Sequence, residues 1–455
     1  MKPLFARPAD MGTGPVPRVI LSLAIPAMAN MFFQNLYALV DTMFISWLGT
    51  AALAAQALSI PVFYLALSAC KGIQVGAATI MSHARGRGDM ERASATGMAA
   101  LPLLLLCLSP AVLLLLPQFN QDFFYLMGAR GDVLDLAYNY SAWMVAGFPF
   151  MAYVFAAEAI YFSNGDTLTP MKGQLLGNGL NILLDPVLIF SLHLGIAGAS
   201  LATLLGQLAC ALYLAGGLKK GGLIRPALKI KKKHLPLWKA ISGPGAFVAV
   251  TFLVSPLGLS LVNLVLASFG PAAVGAWNIM SRLEMLGQLP LLGMGGALVP
   301  FIAFNYGRQN FDRIREGVRV CLLASYVMVL PVMALFIFMP HYLVIPFQAD
   351  AEVGRLAAYA ISAAALGHLF IPLEMAMYGA AQGLKKSGYP LVAIGIRILL
   401  ARYPLALLFA VTWGVKGVFW SQPASMLISG ALSAAFIWLL LKNSGRKLKN
   451  SRNLA

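Results

Sequence analysis

The chain has 455 residues, of which 60% are hydrophobic and 11% charged, with a formal net charge of +17. That apolar content exceeds what a water-facing surface tolerates, and it falls in blocks long enough to cross a bilayer, about 20 residues each, which excludes a soluble globular protein. The surplus Lys and Arg lie between these blocks rather than on an amphipathic face interleaved with aromatics, which argues against nucleic acid as a partner.

Apolar runs between Gly, Pro and charged punctuation predict twelve helices, near residues 17–46, 52–83, 93–117, 131–161, 168–191, 195–217, 237–268, 272–304, 314–342, 352–381, 389–412 and 416–441. A hydrocarbon core of roughly 30 Å is crossed once by each. The first run has no small-residue cleavage site followed by a soluble domain, so it is expected to remain as a span. Pro26, Pro61, Pro149 and Pro372 fall inside spans. The missing N–H bends a helix there, and neighbouring groups must satisfy the freed carbonyl. Cys70, Cys107, Cys210 and Cys321 lie within apolar runs and show no C-x-x-C spacing, so neither a disulfide framework nor a structural metal site is indicated.

Basic residues collect in alternate connections: Arg85, Arg87 and Arg92; the run from Lys219 to Lys233; Arg308, Arg313 and Arg315; Lys385 and Lys386; and the tail from Lys442 to Arg452. The opposite connections hold acids such as Asp122, Asp132, Asp350 and Glu352. The positive-inside rule then predicts that both termini and the basic linker are cytoplasmic.

The halves repeat. Gly49-Thr-Ala-Ala and the segment Arg85–Arg92 recur as Gly270-Pro-Ala-Ala and Tyr306–Arg313, shifted by 221 residues, and Gly195-Ile-Ala-Gly198 recurs as Gly414-Val-Lys-Gly417. Six spans per repeat give both halves one orientation, with the pseudo-axis along the membrane normal. The expected organisation is an all-α membrane protein with an N-terminal six-helix bundle (1–217), a basic linker (218–236), a C-terminal six-helix bundle (237–441) and a basic tail (442–455).

Of sixteen acidic residues, Asp41, Glu158, Asp185, Glu284 and Glu374 fall deep in apolar blocks. A charge at mid-bilayer costs about 2.5–3.5 kcal/mol on insertion scales, so such residues usually mark an ion or substrate path. Asn181 is one turn before Asp185, and Pro186 follows it; Gln34 and Tyr37 share the Asp41 face, while Tyr140 and Thr203 add hydroxyls. Carboxylates sharing a low-dielectric cavity disfavour joint ionisation, so one can hold a proton and release it to an arriving cation. The competing explanation is pairing of each acid with a buried base such as Lys71, Arg282, Arg397 or Arg402. It has most force for Glu284 and Glu374, and least for Asp41 and Asp185. His368 suits either a proton relay or packing, and Asp166 a helix cap. No Walker-type, H-E-x-x-H or G-x-S-x-G motif is present, so energy is expected from an ion gradient and no enzymatic activity or cofactor is expected.

Val40-Asp-Thr-Met-Phe-Ile-Ser-Trp-Leu-Gly49, Gly165-Asp-Thr-Leu-Thr-Pro-Met171 and Asn181-Ile-Leu-Leu-Asp-Pro-Val187, followed by the segment Gly195–Thr203, resemble the multidrug and toxic compound extrusion (MATE) antiporters, most closely the DinF-like prokaryotic branch. The resemblance implies a V-shaped pair of bundles, acting as a monomer in the inner membrane, that exports organic cations and drug-like amphipathic molecules by alternating access in exchange for H⁺ or Na⁺. The cation site it implies is Asp41, Tyr140, Asn181, Asp185 and Thr203, with Na⁺ held by Asp41, Asn181, Asp185 and Thr203 if sodium is the ion. Pro26 maps to the helix bend discussed for the family. Glu158 replaces an Asn and adds a third carboxylate to the site and to a substrate cavity expected to include Gln34, Tyr37 and Glu284, and Lys71 is expected to neutralise one of these acids. Arg397 and Arg402 show no partner acid for a second cation site. The alternatives are a lipid or lipid-precursor flippase and a membrane-embedded enzyme; the latter lacks a nucleophile with a placed base.

Overall fold

The computed structural model describes residues 9–226 and 234–452, with side chains through residue 442. Lys229, Lys231, Lys232 and Lys233 of the expected linker lie outside the described residues, as do the side chains of the tail beyond Lys442.

The described chain is almost wholly helical. Ten helices are long and apolar enough to cross a membrane: α1 (Val16–Ser46), α2 (Thr50–Gly86), α3 (Met90–Leu115), α4 (Asp132–Ser163), α5 (Leu168–Ser191), α6 (Ile196–Lys220), α7 (Leu235–Ala267), α8 (Pro271–Gly307), α9 (Phe311–Phe338) and α10 (Ala351–Gly383). An eleventh stretch, Gly388–Lys442, is broken by Gly414 at φ 62 and ψ −152 into α11 and α12. Counted this way, the described residues hold the twelve expected helices. Two short helices, Pro117–Leu126 and Pro340–Val344, were expected as span ends and loop. Each opens on a proline, whose fixed φ suits a first helical turn.

The repeat is written into the backbone. Left-handed residues recur pairwise at Gly49 and Gly270, Gly88 and Gln309, Gly128 and Gln348, Gly165 and Lys385, and Gly195 and Gly414. The repeated Arg-rich segment is thereby explained. After the left-handed residue, the side chain of Asp89 accepts from Arg92 N at 2.9 Å to cap α3, and that of Asn310 accepts from Arg313 N at 3.3 Å to cap α9. Asp166 plays a related part before α5, accepting from Thr169 N at 2.9 Å and from its hydroxyl at 2.6 Å.

By packing, the described residues among 29–249 form one unit and residues 10–28 with those described among 250–455 another. Compared with the expected 1–217 and 237–441, the leading segments of α1 and α7 belong to the other unit. Glycine sets these seams. A methyl group at Gly72 or Gly76 of α2 would lie 2.5 Å from the carbonyl oxygen of Gly245 or Ile241 of α7, so these helices meet backbone to backbone within the first unit. In the second unit, Gly293 of α8 leaves no room for a Cβ beside Met28, just past Pro26, and Asn305 and Arg313 bond the carbonyls of Met11 and Gly14.

Candidate functional site

The α5–α6 crossing is governed by two facing glycines. A methyl group at Gly177 would lie 2.6 Å from the Gly206 carbonyl oxygen, and one at Gly206 would lie 2.5 Å from that of Gly177. One turn on from Gly177 is Asn181, and one turn back from Gly206 is Thr203. The close crossing brings them together, and Asn181 Nδ2 donates to Thr203 Oγ1 at 3.2 Å. One further turn along α5 stands Asp185, followed by Pro186 and a wider π-helical turn, Val187–Ser191. Proline removes a donor from the helix ladder, and such turns recur at functional positions.

Asp185 is fully buried and Asp41 is 7% exposed. Gln56 of α2 donates its Nε2 to Asp41 Oδ2 at 3.2 Å. Among the described residues, both oxygens of Asp185, Asp41 Oδ1 and Asn181 Oδ1 have no hydrogen-bond partner. Asp41 and Asp185 are within electrostatic reach of each other, and Tyr37 of α1 and Tyr140 of α4 are within reach of both. Buried oxygens without donors are costly unless a proton or a cation meets them. Two carboxylates with an amide and hydroxyl oxygens form a hard, all-oxygen donor set that suits H⁺ or Na⁺.

The structure thus gathers Asp41, Tyr37, Tyr140, Asn181, Asp185 and Thr203 within the first unit. Gln34, half-buried two turns before Asp41, has no hydrogen bond that joins it to the cluster. Gln56 is a member that the sequence reading missed. Its signal was a lone amide in an Ala-rich apolar run.

Glu158 is a correction. It shares α4 with Tyr140 but lies 18 residues further on, about 27 Å along the helix axis. It accepts from Gln174 at 2.9 Å and from Gln74, apart from the Asp41–Asp185 cluster. Lys71 does not touch it directly; its Nζ is 3.4 Å from Gln74 Oε1.

In the second unit, Glu284 accepts from Gln288 at 3.0 Å and from Gln422. Arg397, one of the bases expected as a partner for the buried acids, offers no second cation site. It instead forms a 2.5 Å ion pair with Glu374, which also accepts from Ser429. Pairing with a base therefore accounts for Glu374, whereas Asp41, Asp185, Glu158 and Glu284 form no ion pair among the described residues. Arg402 donates to Ser425 at 3.2 Å, and His368 packs edge-on to Phe336 with its Nδ1 3.0 Å from Ala364 O.

The MatE family model matches residues 26–187 and 248–408, once in each half. The multidrug export protein MepA of Staphylococcus aureus is 27% identical over 440 residues, covering 94% of both chains. A protein of Shewanella oneidensis described as an FAD transporter is 28% identical over 428 residues, covering 92% of this chain and 93% of its own. A solved structure of the outward-facing conformation of a multidrug resistance MATE family transporter of the MOP superfamily aligns with a TM-score of 0.89 at 25% identity, over 97% of this chain and 99% of that one.

Proposed function

The chain belongs to the MatE family, and on that premise we propose that it is a secondary active exporter of small cationic and amphipathic molecules. Occupation of the Asp41–Asp185 cluster by H⁺ or Na⁺ alternates with export of substrate. The protein acts as a monomer in the inner membrane with both termini cytoplasmic. Membership of a transporter family agrees with the expectation that it is not an enzyme. The observation that carries this reading is the pair of buried carboxylates on α1 and α5 with three oxygens that no protein donor meets. Such oxygens are stable only with a proton or a cation, and a group that must take one up can couple its release to another event.

The test is transport of ethidium in proteoliposomes with ΔpH and ΔNa⁺ imposed separately. Asp41→Asn and Asp185→Asn are expected to abolish gradient-driven export while the protein remains monodisperse, and full transport by both would refute the reading. Because one relative is described as an FAD transporter, an anionic dinucleotide is the informative second substrate. The flippase alternative gains nothing from the half-buried Arg397, whose charge Glu374 neutralises.

A further inference from the structure

Glu158 takes no part in the Asp41–Asp185 cluster, yet its surroundings are built. It is 2% exposed, and each carboxylate oxygen accepts one amide N–H, Oε1 from Gln174 of α5 at 2.9 Å and Oε2 from Gln74 of α2. The opposite end of the Gln74 amide, Oε1, accepts from the Lys71 ammonium at 3.4 Å. That ammonium also lies 4.8 Å from the centroid of the Phe155 ring. Lys71 and Gln74 are one turn apart on α2, as are Phe155 and Glu158 on α4, so the two helices present matched pairs. The groups facing Glu158 are Lys71 from α2, the Cys210 thiol from α6 and the neutral Gln174 from α5.

An amide therefore stands between a half-buried cation and a buried anion. The carboxylate accepts two hydrogen bonds of the roughly four it can take, and the ammonium has one acceptor and a ring face. A proton added to Glu158 removes the negative charge that holds Lys71, and the new O–H needs an acceptor. The Gln74 carbonyl is one turn of its amide away. If the amide turns to offer it, its NH₂ end meets the ammonium donor to donor, and Lys71 must withdraw.

We infer that Lys71, Gln74 and Glu158 form a charge-exchange switch in which proton uptake by Glu158 and withdrawal of the Lys71 ammonium are one event, giving the first unit a second proton carrier beside the Asp41–Asp185 cluster. The proton comes from water and returns to water. The buried interior exchanges one cation–anion pair for a neutral acid. Helices α4 and α5 link the switch to the cluster, since α4 also carries Tyr140 and α5 carries Gln174 two turns before Asn181. The inference rests on ion-coupled export as proposed above.

The test uses the full chain. Infrared difference spectra between acid and neutral pH in nanodiscs read the carboxyl C=O band, and proteoliposomes give the proton-to-ethidium ratio. Glu158→Gln is expected to remove one carboxyl component and to lower the ratio by roughly one proton. Lys71→Met keeps that component but moves its midpoint, and it carries the test alone should Glu158→Gln not fold. An unchanged band and ratio in Glu158→Gln, or wild-type titration in Lys71→Met, overturns the inference. Full gradient-driven export by both Asp41→Asn and Asp185→Asn would instead defeat the reading on which it rests.

Discussion

Gly206→Ala tests the logic of the candidate site without touching a polar group. The added methyl would lie 2.5 Å from the Gly177 carbonyl oxygen and 3.4 Å from Asn181 Cβ. Restoring ordinary contact parts α5 from α6 by about 1 Å. The 3.2 Å bond between Asn181 and Thr203 then stretches to about 4 Å, beyond hydrogen-bonding range. Overpacking costs roughly 1–3 kcal/mol, and a side-chain hydrogen bond between membrane helices contributes about 0.6 kcal/mol. The expected result is a lower melting temperature in detergent and a half-maximal coupling-ion concentration raised roughly threefold. Gly179→Ala on the facing helix α5 is the control, because its methyl meets nothing within 4 Å. Wild-type melting and ion dependence in Gly206→Ala would refute the claim that the glycine crossing positions the site.

Gln56→Ala removes the amide bonded to Asp41; a hydrogen bond to a charged group contributes about 1.5–3 kcal/mol, so the apparent affinity for the coupling ion should change by roughly 10- to 100-fold in the proteoliposome assay. Glu374→Gln strands the half-buried Arg397 and should destabilise by about 1–3 kcal/mol, whereas the double variant with Arg397→Met should recover most of that loss in thermal melts. Asp10, which lies before α1, accepts from the Thr13 hydroxyl and from the amides of Gly12 and Thr13, and these bonds hold its carboxyl below the usual carboxylate range. Its contribution is complete above the unfolded carboxylate pKa of about 3.9 and is lost as pH falls through the lowered folded value. Amide exchange at Gly12 and Thr13, corrected for intrinsic rates, should rise on acidification only below that range and become independent of pH in Asp10→Ala.

The twelve passes were legible because lipid demands long apolar runs and because charged connections interrupt them. Gly414 was recognisable as a break from the repeat of Gly195, even though the helical hydrogen bonding runs through it. The exchange of leading segments was hidden, since it depends on close approaches such as Gly72 to Gly245, which no local pattern announces. Within the site, Asp41, Asn181 and Asp185 stood out as polar groups in apolar surroundings. Gln56 did not, because an uncharged amide is unremarkable in a span until the residue opposite it is known. Glu158 was grouped with the other acids by its chemistry, although the helix rise from Tyr140 already separates the two along α4. The Arg397–Glu374 pair was legible only as one of several pairings, because acid and base stand in separate apolar blocks and no local pattern fixes which base faces which acid.

The crossed ownership of the leading segments makes the two halves of the polypeptide dependent on each other during assembly. A fragment ending at residue 226 would make the first unit without residues 235–249, leaving the flat faces at Gly72 and Gly76 bare. The complementary fragment would lack residues 10–28, and with them the groups that meet Gly293, Asn305 and Arg313. Translation of the second half is thus a condition for finishing the first.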